Sequence, residues 1–279
     1  MNYARSSFMG NISPIVKHLL IINTLVFFAA AVLQSSLGVD LNGAAGMHFF
    51  LSEKFNPAQL VTYMFLHANL SHIFFNMFAV YMFGRVLEQV WGQKRFLIYY
   101  LVTGIGAGVM QQIVQYIELK PFLDAVDFYM QNPSHEDLVV LLKQYLHPAT
   151  LEMVNEMQTF TRSYDQMATS DPQAALQMSL DFVSKFKVDY LNAFVTIGAS
   201  GAVFGILLAF GMLFPNTVLM LLFPPIPIKA KYFVMIYGVM ELFYGIGNFR
   251  ADNVAHWAHL GGMLFGFFMI RYWRKQGLY

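Results

Sequence analysis

Six long apolar windows restrict this chain to a helical fold within a membrane. A helix needs about 20 apolar residues to cross the hydrocarbon core of a bilayer, and six windows approach that length. Only 12% of the residues are charged, about half of the share in a soluble domain. The pattern predicts an all-α membrane protein built as a bundle of six transmembrane helices. The windows are residues 15–34, 72–91, 96–116, 198–214, 229–247 and 256–272.

Basic residues at the ends of these windows predict the orientation of the chain. They gather at the N-terminus, the 2–3 connection, the 4–5 connection and the C-terminus, which an even number of spans places on one side. The positive-inside rule makes that side the cytoplasm, so we expect an integral protein of a bacterial inner (cell) membrane with both termini cytoplasmic. The N-terminal stretch lacks a signal-peptide cleavage pattern, and the first window is expected to be a retained helix. The flanking basic residues are Lys17, Lys94, Arg95, Lys229, Lys231, Arg271, Arg274 and Lys275.

Residues 117–195, between the third and fourth windows, differ from the rest of the chain. They hold eleven of the sixteen acidic residues and only five Lys or Arg, and the topology places them outside the cell. Ser134 with Asp137 predicts a capping box, and Asp171-Pro172 predicts a helix start. The chain is therefore predicted to have three parts. They are residues 1–116 with the first three helices, an acidic helical extracytoplasmic insert over 117–195, and residues 196–279 with the last three helices and a basic tail.

Composition excludes several classes of function. The chain has no cysteine, which excludes disulfides, thiolate nucleophiles and cysteine metal sites. A net charge of +1 provides no basic surface for nucleic acid. The windows show neither an inverted repeat nor a charge at the bilayer midplane, so nothing supports a transporter. We expect no cofactor and no metal.

Polar residues near the starts of the even-numbered helices are the candidate site. In an up-and-down bundle these helices all begin at the extracytoplasmic face, so their first turns lie at similar depth. Ionisable residues within spans are costly and point to function. The five residues are His72, Asn76, Ser200, His256 and His259.

Serine and histidine at this level predict nucleophilic catalysis. Ser200 needs a neighbouring base to take its proton, and His259 has the pKa range for that work. The spacing alone leaves His256, one turn away, as an alternative base. The acidic residues are placed in a loop (Asp252) or at other depths (Glu88, Glu241), so a Ser-His dyad is favoured over a triad.

Two further features support such a site. His72 and Asn76 are four residues apart on one helical face, and with the backbone N–H of Ser200 they can stabilise an oxyanion. Small residues let helices approach closely in lipid, and two G-x-x-x-G pairs would bring Ser200 to His259. The glycines around the site are Gly198, Gly201, Gly205, Gly262 and Gly266.

The segment GASGAVFG, with HxxxN upstream of it and AHLGGMLFG downstream, resembles the rhomboid family of intramembrane serine proteases. The resemblance covers about 15–116 and 196–272 and implies a six-helix rhomboid-like bundle. It implies Ser200 as the nucleophile and His259 as the base. Gly84 and Glu88 of GRVLE match a family pattern that is structural.

The family's HxxxN pair falls on His72 and Asn76, which implies oxyanion stabilisation. The insert over 117–195 is much longer than the loop usual at this position in the family.

The resemblance implies an endopeptidase that cuts transmembrane segments near the extracytoplasmic face. Its partners would be single-span or other transmembrane substrates and the lipid bilayer, while the oligomeric state stays open. Residues 244–256 are a candidate mobile lid. Two other functions remain: an inactive rhomboid-like protein that binds membrane clients, and a zinc hydrolase. The zinc ligands would be His67, His72, His256 and His259, without a carboxylate.

Overall fold

The computed structural model describes residues 12–220, 225–247 and 254–278. The chain divides into two compact units, each mostly helical. Unit 1 holds the residues up to 47 together with 57–111 and 196–279, and unit 2 holds 48–56 and 112–195.

The elements follow one another along the chain as mostly long helices joined by short segments. The first half contains α1 (Pro14–Leu37), α2 (Leu41–Ala45), β1 (Met47–His48), α3 (Gln59–Thr62), a 3₁₀ turn (Tyr63–Phe65), α4 (Leu70–Ala79), a π-helical turn (Val80–Gly84), α5 (Arg85–Trp91) and α6 (Gln93–Gln131). The second half contains α7 (His135–Gln144), α8 (Leu151–Ser170), α9 (Pro172–Asn192), β2 (Val195–Thr196), α10 (Ser200–Leu213), β3 (Val218–Met220), β4 (Pro227–Lys229), α11 (Ala230–Gly247) and α12 (His256–Lys275). Strands β3 and β4 pair antiparallel, with Val218 opposite Lys229.

All six apolar windows are helical over most of their length. Among the described residues, three helical stretches are long and apolar enough to cross a membrane, namely Pro14–Leu37, Leu70–Trp91 and Gln93–Gln131. Helix α10, which lies in the fourth apolar window, is a shorter apolar helix. Helices α11 and α12 occupy the fifth and sixth windows.

Glu88 holds the start of α1 against α5. Its two carboxylate oxygens accept hydrogen bonds from the backbone N–H groups of Ile15 and Val16, each at 2.9 Å. The first amides of a helix lack partners within the helix and favour negative charge, so this buried carboxylate acts as a cap from a distant helix. Gly84 lies one turn before it, where an added Cβ would come within 3.3 Å of a methyl group of Val16. The structural role implied for this pair thus has a physical basis.

Glycines create a close seam between α10 and α12. An added Cβ on Gly262 would lie 1.9 Å from the carbonyl oxygen of Gly201, which is backbone and cannot move aside. One turn further along each helix, Gly205 and Gly266 instead face α6. There an added Cβ would meet Thr103 at 2.7 Å and the hydroxyl of Tyr99 at 2.3 Å, respectively. The seam between α10 and α12 thus has its closest contact at Gly201 and Gly262. One turn further along, side chains of α6 pack against both helices.

Unit 2 is a helical body with its own apolar core. Both predicted helix starts are confirmed: the Ser134 hydroxyl accepts from the N–H of Asp137 at 3.0 Å, and Asp171 accepts from Ala174 at 3.1 Å. The unit also includes residues 48–56, which the sequence assigned to the first part of the chain. The side chain of Gln112 explains this, because it donates to the carbonyl of His48 and accepts from the N–H of Phe50, both at 2.8 Å.

His67 lies in the loop just before α4 and is 2% exposed. Its ring packs edge-on against His72 with centroids 5.0 Å apart, and neither ring nitrogen has a hydrogen-bond partner among the described residues. Burial, helped by the neighbouring His72, lowers the pKa of His67 from its ordinary value of 6.5 to about 4. His67 is therefore a neutral bracing residue beside the candidate site.

We expect Gly262→Ala to destabilise unit 1 by about 2 kcal/mol, because the new methyl group forces α10 and α12 apart. The thermal unfolding midpoint in detergent micelles measures this effect. Gly238→Ala on α11 is the matched control, since its new Cβ would meet only the flexible end of Met263 at 3.3 Å. Equal unfolding midpoints for the two variants would contradict the claim that Gly262 is needed for close packing of α10 and α12.

His67 should make stability dependent on pH. Its folded-state pKa lies below its unfolded one, so its contribution is complete above pH 6.5 and is lost as the pH falls towards 4. Between pH 7 and pH 5 the expected loss from this group is about 2 kcal/mol. Unfolding curves of the wild type and of His67→Phe at both pH values measure it. The variant should lose less stability than the wild type, and parallel losses would refute the assignment.

Candidate active site

Ser200 and His259 meet at the starts of α10 and α12. The Oγ of Ser200 lies 2.8 Å from Nε2 of His259, within hydrogen-bond distance. The imidazole ring of His259 stacks on Phe204, with centroids 4.2 Å apart and planes 9° from parallel. Phe204 lies one turn after Ser200 on α10, so one helix supplies both the hydroxyl and the surface that orients the ring. The sequence reasoning did not single out Phe204, although an aromatic four residues after Ser200 is the signal that could have found it.

Glu241 of α11 completes a line of three groups, which corrects the prediction that no acid lies at this depth. Its Oε2 is 2.9 Å from Nδ1 of His259 and 2.5 Å from Nδ1 of His256. The reason is the antiparallel arrangement of α11 and α12, since the end of one helix lies beside the start of the other. Glu241 lies less than two turns before the end of α11, and His259 lies in the first turn of α12. The geometry thus contains a Ser-His-Glu arrangement rather than a Ser-His pair alone.

His72 lies against the turn that precedes Ser200. Gly198 in that turn has a φ of 128°, a conformation that residues with side chains rarely adopt. An added Cβ there would stand 2.7 Å from Nε2 of His72 and 3.7 Å from Oγ of Ser200. Nδ1 of His72 accepts a long hydrogen bond of 3.4 Å from the N–H of Ala68. In a neutral ring the proton then sits on Nε2, which faces the turn as a donor.

Asn76 lies one turn along α4 from His72 and is buried. Its side-chain Nδ2 has no hydrogen-bond partner among the described residues. A buried amide without a partner costs free energy, so an unused donor close to a candidate site requires an explanation. Helix α4 packs against α10, and the two residues share one helical face. His72 and Asn76 can therefore supply two donors from one side.

The cluster that could hold a metal differs from the predicted one. Among the described residues, Glu241, His256 and His259 present ligand atoms within 4.8 Å of one another. A carboxylate thus joins two of the four histidines, contrary to the prediction. Of the other candidates, Asp252 lies outside the described residues. So do residues 248–253 of the predicted lid.

Comparison with known proteins identifies the family. Residues 54–118 and 173–276 match the Rhomboid domain family. An uncharacterized mitochondrial rhomboid protein of Schizosaccharomyces pombe is 26% identical over 228 residues, covering 79% of this chain and 52% of that protein. The chain is 39% identical over 56 residues to the chloroplastic Rhomboid-like protein 11 of Arabidopsis thaliana, and 36% identical over 56 residues to the rhomboid protease AarA of Providencia stuartii. Each of these two matches covers 20% of this chain and 20% of the relative.

The chain therefore spans from a fifth to about half of the length of these relatives. The family match, in contrast, covers more than half of the chain and includes α4, α10 and α12, which carry the polar site. The apolar helices Pro14–Leu37 and Leu70–Trp91 are long enough to cross a bilayer. The chain belongs to the rhomboid family and is an integral membrane protein.

Proposed function

We propose that this protein is an intramembrane serine endopeptidase that cleaves transmembrane segments of other membrane proteins. The observation that carries the proposal is the 2.8 Å contact between Ser200 Oγ and His259 Nε2. A hydroxyl and an imidazole at this distance can exchange a proton without rearrangement. Membership of the rhomboid family supports the same reaction class.

Ser200 is the nucleophile and His259 the general base. Nε2 of His259 lies 2.8 Å from the hydroxyl of Ser200 and accepts its proton when Nε2 carries none of its own. The oxygen of Ser200 then bonds to the carbonyl carbon of the scissile peptide, and the electron pair of the C=O bond moves to its oxygen. The electron pair on the negative oxygen then re-forms the C=O bond while the scissile C–N bond breaks, and His259 gives its proton to the departing amine nitrogen. The acyl-enzyme that remains is hydrolysed by water.

The negative oxygen formed on attack needs donors aimed at it in advance. Nε2–H of His72 and the unpartnered Nδ2 of Asn76 come from α4. The N–H of Ser200 is in the first turn of α10 and has no intrahelical acceptor. Three donors from two helices make an oxyanion site that is present before substrate binds.

The substrates we propose are single-span or other transmembrane proteins. An intact helix hides its carbonyl carbons, so the segment must unwind near the cut, and helix-destabilising or small residues are expected there. The six-helix bundle, the extracytoplasmic position of the site and the cytoplasmic termini belong to this proposal. They are supported by the basic residues at the helix ends and by the helical state of all six windows.

We expect Ser200→Ala to abolish cleavage, with a fall in kcat on the order of 10⁴-fold or more, because the nucleophile is absent. Two measurements check this: labelling by a fluorophosphonate, and comparison of membrane proteomes from wild-type and Ser200→Ala cells for uncleaved single-span proteins. Wild-type protein that is folded but takes no label would favour the client-binding alternative. Cleavage that survives Ser200→Ala and is lost to a chelator would favour the metal hydrolase.

Asn76→Ala should lower kcat by about 10²- to 10³-fold while changing KM little, because the amide contacts the oxygen mainly in the transition state. Initial rates on a transmembrane peptide substrate in micelles provide both constants. Asn23→Ala is the matched control. This buried asparagine of α1 donates to the carbonyl of Leu19 at 2.7 Å, within its own helix. A loss confined to KM in the Asn76 variant would argue against an oxyanion role.

A further inference from the structure

We propose that Glu241 is a positioning residue that fixes the proton of His259 on Nδ1, and that His256 holds Glu241 in place. The proposal rests on the proposed protease function. It adds a third group behind the Ser200–His259 pair and assigns a role to His256, the other histidine of the first turn of α12.

The carboxylate of Glu241 determines the tautomer of His259. An ionised carboxylate only accepts hydrogen bonds, so the nitrogen 2.9 Å from Oε2 must carry a proton. The remaining nitrogen, Nε2, is then bare and faces the Ser200 hydroxyl at 2.8 Å. Without this acceptor a neutral imidazole can place its proton on Nε2, and that tautomer cannot take a proton from serine.

Surroundings that exclude water increase the effect of this contact. The side chains of Glu241, His256 and His259 are 12%, 11% and 9% exposed, respectively. Water therefore competes little for the carboxylate, and a charge in such a place acts more strongly than on an open surface. The imidazolium that forms while His259 carries the serine proton is stabilised by the adjacent negative charge.

His256 supplies a second donor to the same oxygen. Its Nδ1 lies 2.5 Å from Oε2 of Glu241, and its ring stacks on Tyr244 at 5.5 Å with planes 21° apart. A carboxylate held by one partner can rotate away from it, whereas two donors from adjacent faces restrict it. His256 does not need to reach Ser200 for this role, because it acts through Glu241.

The distances favour hydrogen bonding over a metal ion in this cluster. Two atoms bound to one tetrahedral zinc at 2.0–2.1 Å stand about 3.3 Å apart. Oε2 of Glu241 is closer than that to both Nδ1 atoms. An ion between them would require the three side chains to separate. Hydrogen bonds between the three side chains, in contrast, require no movement from the observed positions.

The central test is Glu241→Gln, which keeps the shape and removes the charge. We expect kcat to fall on the order of 10²-fold with KM within about twofold. The rate of fluorophosphonate labelling at Ser200 should fall in parallel, since that reaction needs the same base but no substrate helix. Glu88→Gln is the matched control, because Glu88 is also a buried glutamate but caps α1. It should lower the unfolding midpoint and leave the labelling rate of the folded protein unchanged.

His256 variants test the second half of the proposal. His256→Gln can still donate to Glu241 and should retain most activity, whereas His256→Ala should lose about tenfold in kcat. Equal activity of both variants and the wild type would overturn the role of His256.

A measurement on the wild type avoids any loss of folding in a variant. ¹⁵N-histidine spectra, assigned with His259→Ala, should show the proton of His259 on Nδ1 at neutral pH. A proton on Nε2 would overturn the proposal, as would wild-type kcat and labelling in Glu241→Gln. Activity that a chelator removes and zinc restores would also overturn it. Wild-type protein that neither labels nor cleaves would instead refute the proposed function.

Discussion

The backbone contact between Gly201 and Gly262 is the constraint on which the candidate site depends. A serine at the start of one helix reaches a histidine at the start of another only when the two helix axes are unusually close. A Cβ on Gly262 would lie only 1.9 Å from the carbonyl oxygen of Gly201, so no side chain fits at this point of the seam between α10 and α12. Helix association in lipid lacks the hydrophobic driving force that acts in water, so van der Waals contact between small residues has a larger share. The 2.8 Å contact of Ser200 with His259 follows from this packing.

The polar groups of the site stabilise one another in surroundings with little water. Glu241 accepts from two imidazoles, His259 links Glu241 to Ser200, and Phe204 holds the ring of His259 from its face. Each hydrogen bond satisfies a group whose burial would otherwise cost free energy. The buried Nδ2 of Asn76 is an exception, since it has no partner among the described residues. A donor of this kind suits an anion that exists only during a reaction.

Sequence reasoning predicted the features that depend on periodicity and local chemistry. The six helical windows and the caps at Ser134 and Asp171 follow from residue patterns within one segment. Glu241 was missed because its depth in the bilayer was inferred from its position in α11 alone. That inference took no account of the overlap between the end of α11 and the start of α12. The assignment of residues 48–56 to unit 2 was also beyond reach, since it depends on hydrogen bonds of Gln112 with residues about sixty positions away. Pairings between distant segments carry no periodic signal.

Glu88 and Glu241, both in unit 1, show how one residue type serves two purposes. Glu88 faces the backbone N–H groups at the start of α1, where its charge offsets the helix dipole and links α1 to α5. Glu241 faces two imidazole N–H groups, and the far side of one of those rings contacts a hydroxyl. Burial makes each carboxylate depend on its partners, but only an imidazole can pass the effect on, because binding at one ring nitrogen changes the protonation of the other. A carboxylate caps a helix at Glu88, whereas at Glu241 the same group acts on the oxygen of Ser200 through His259.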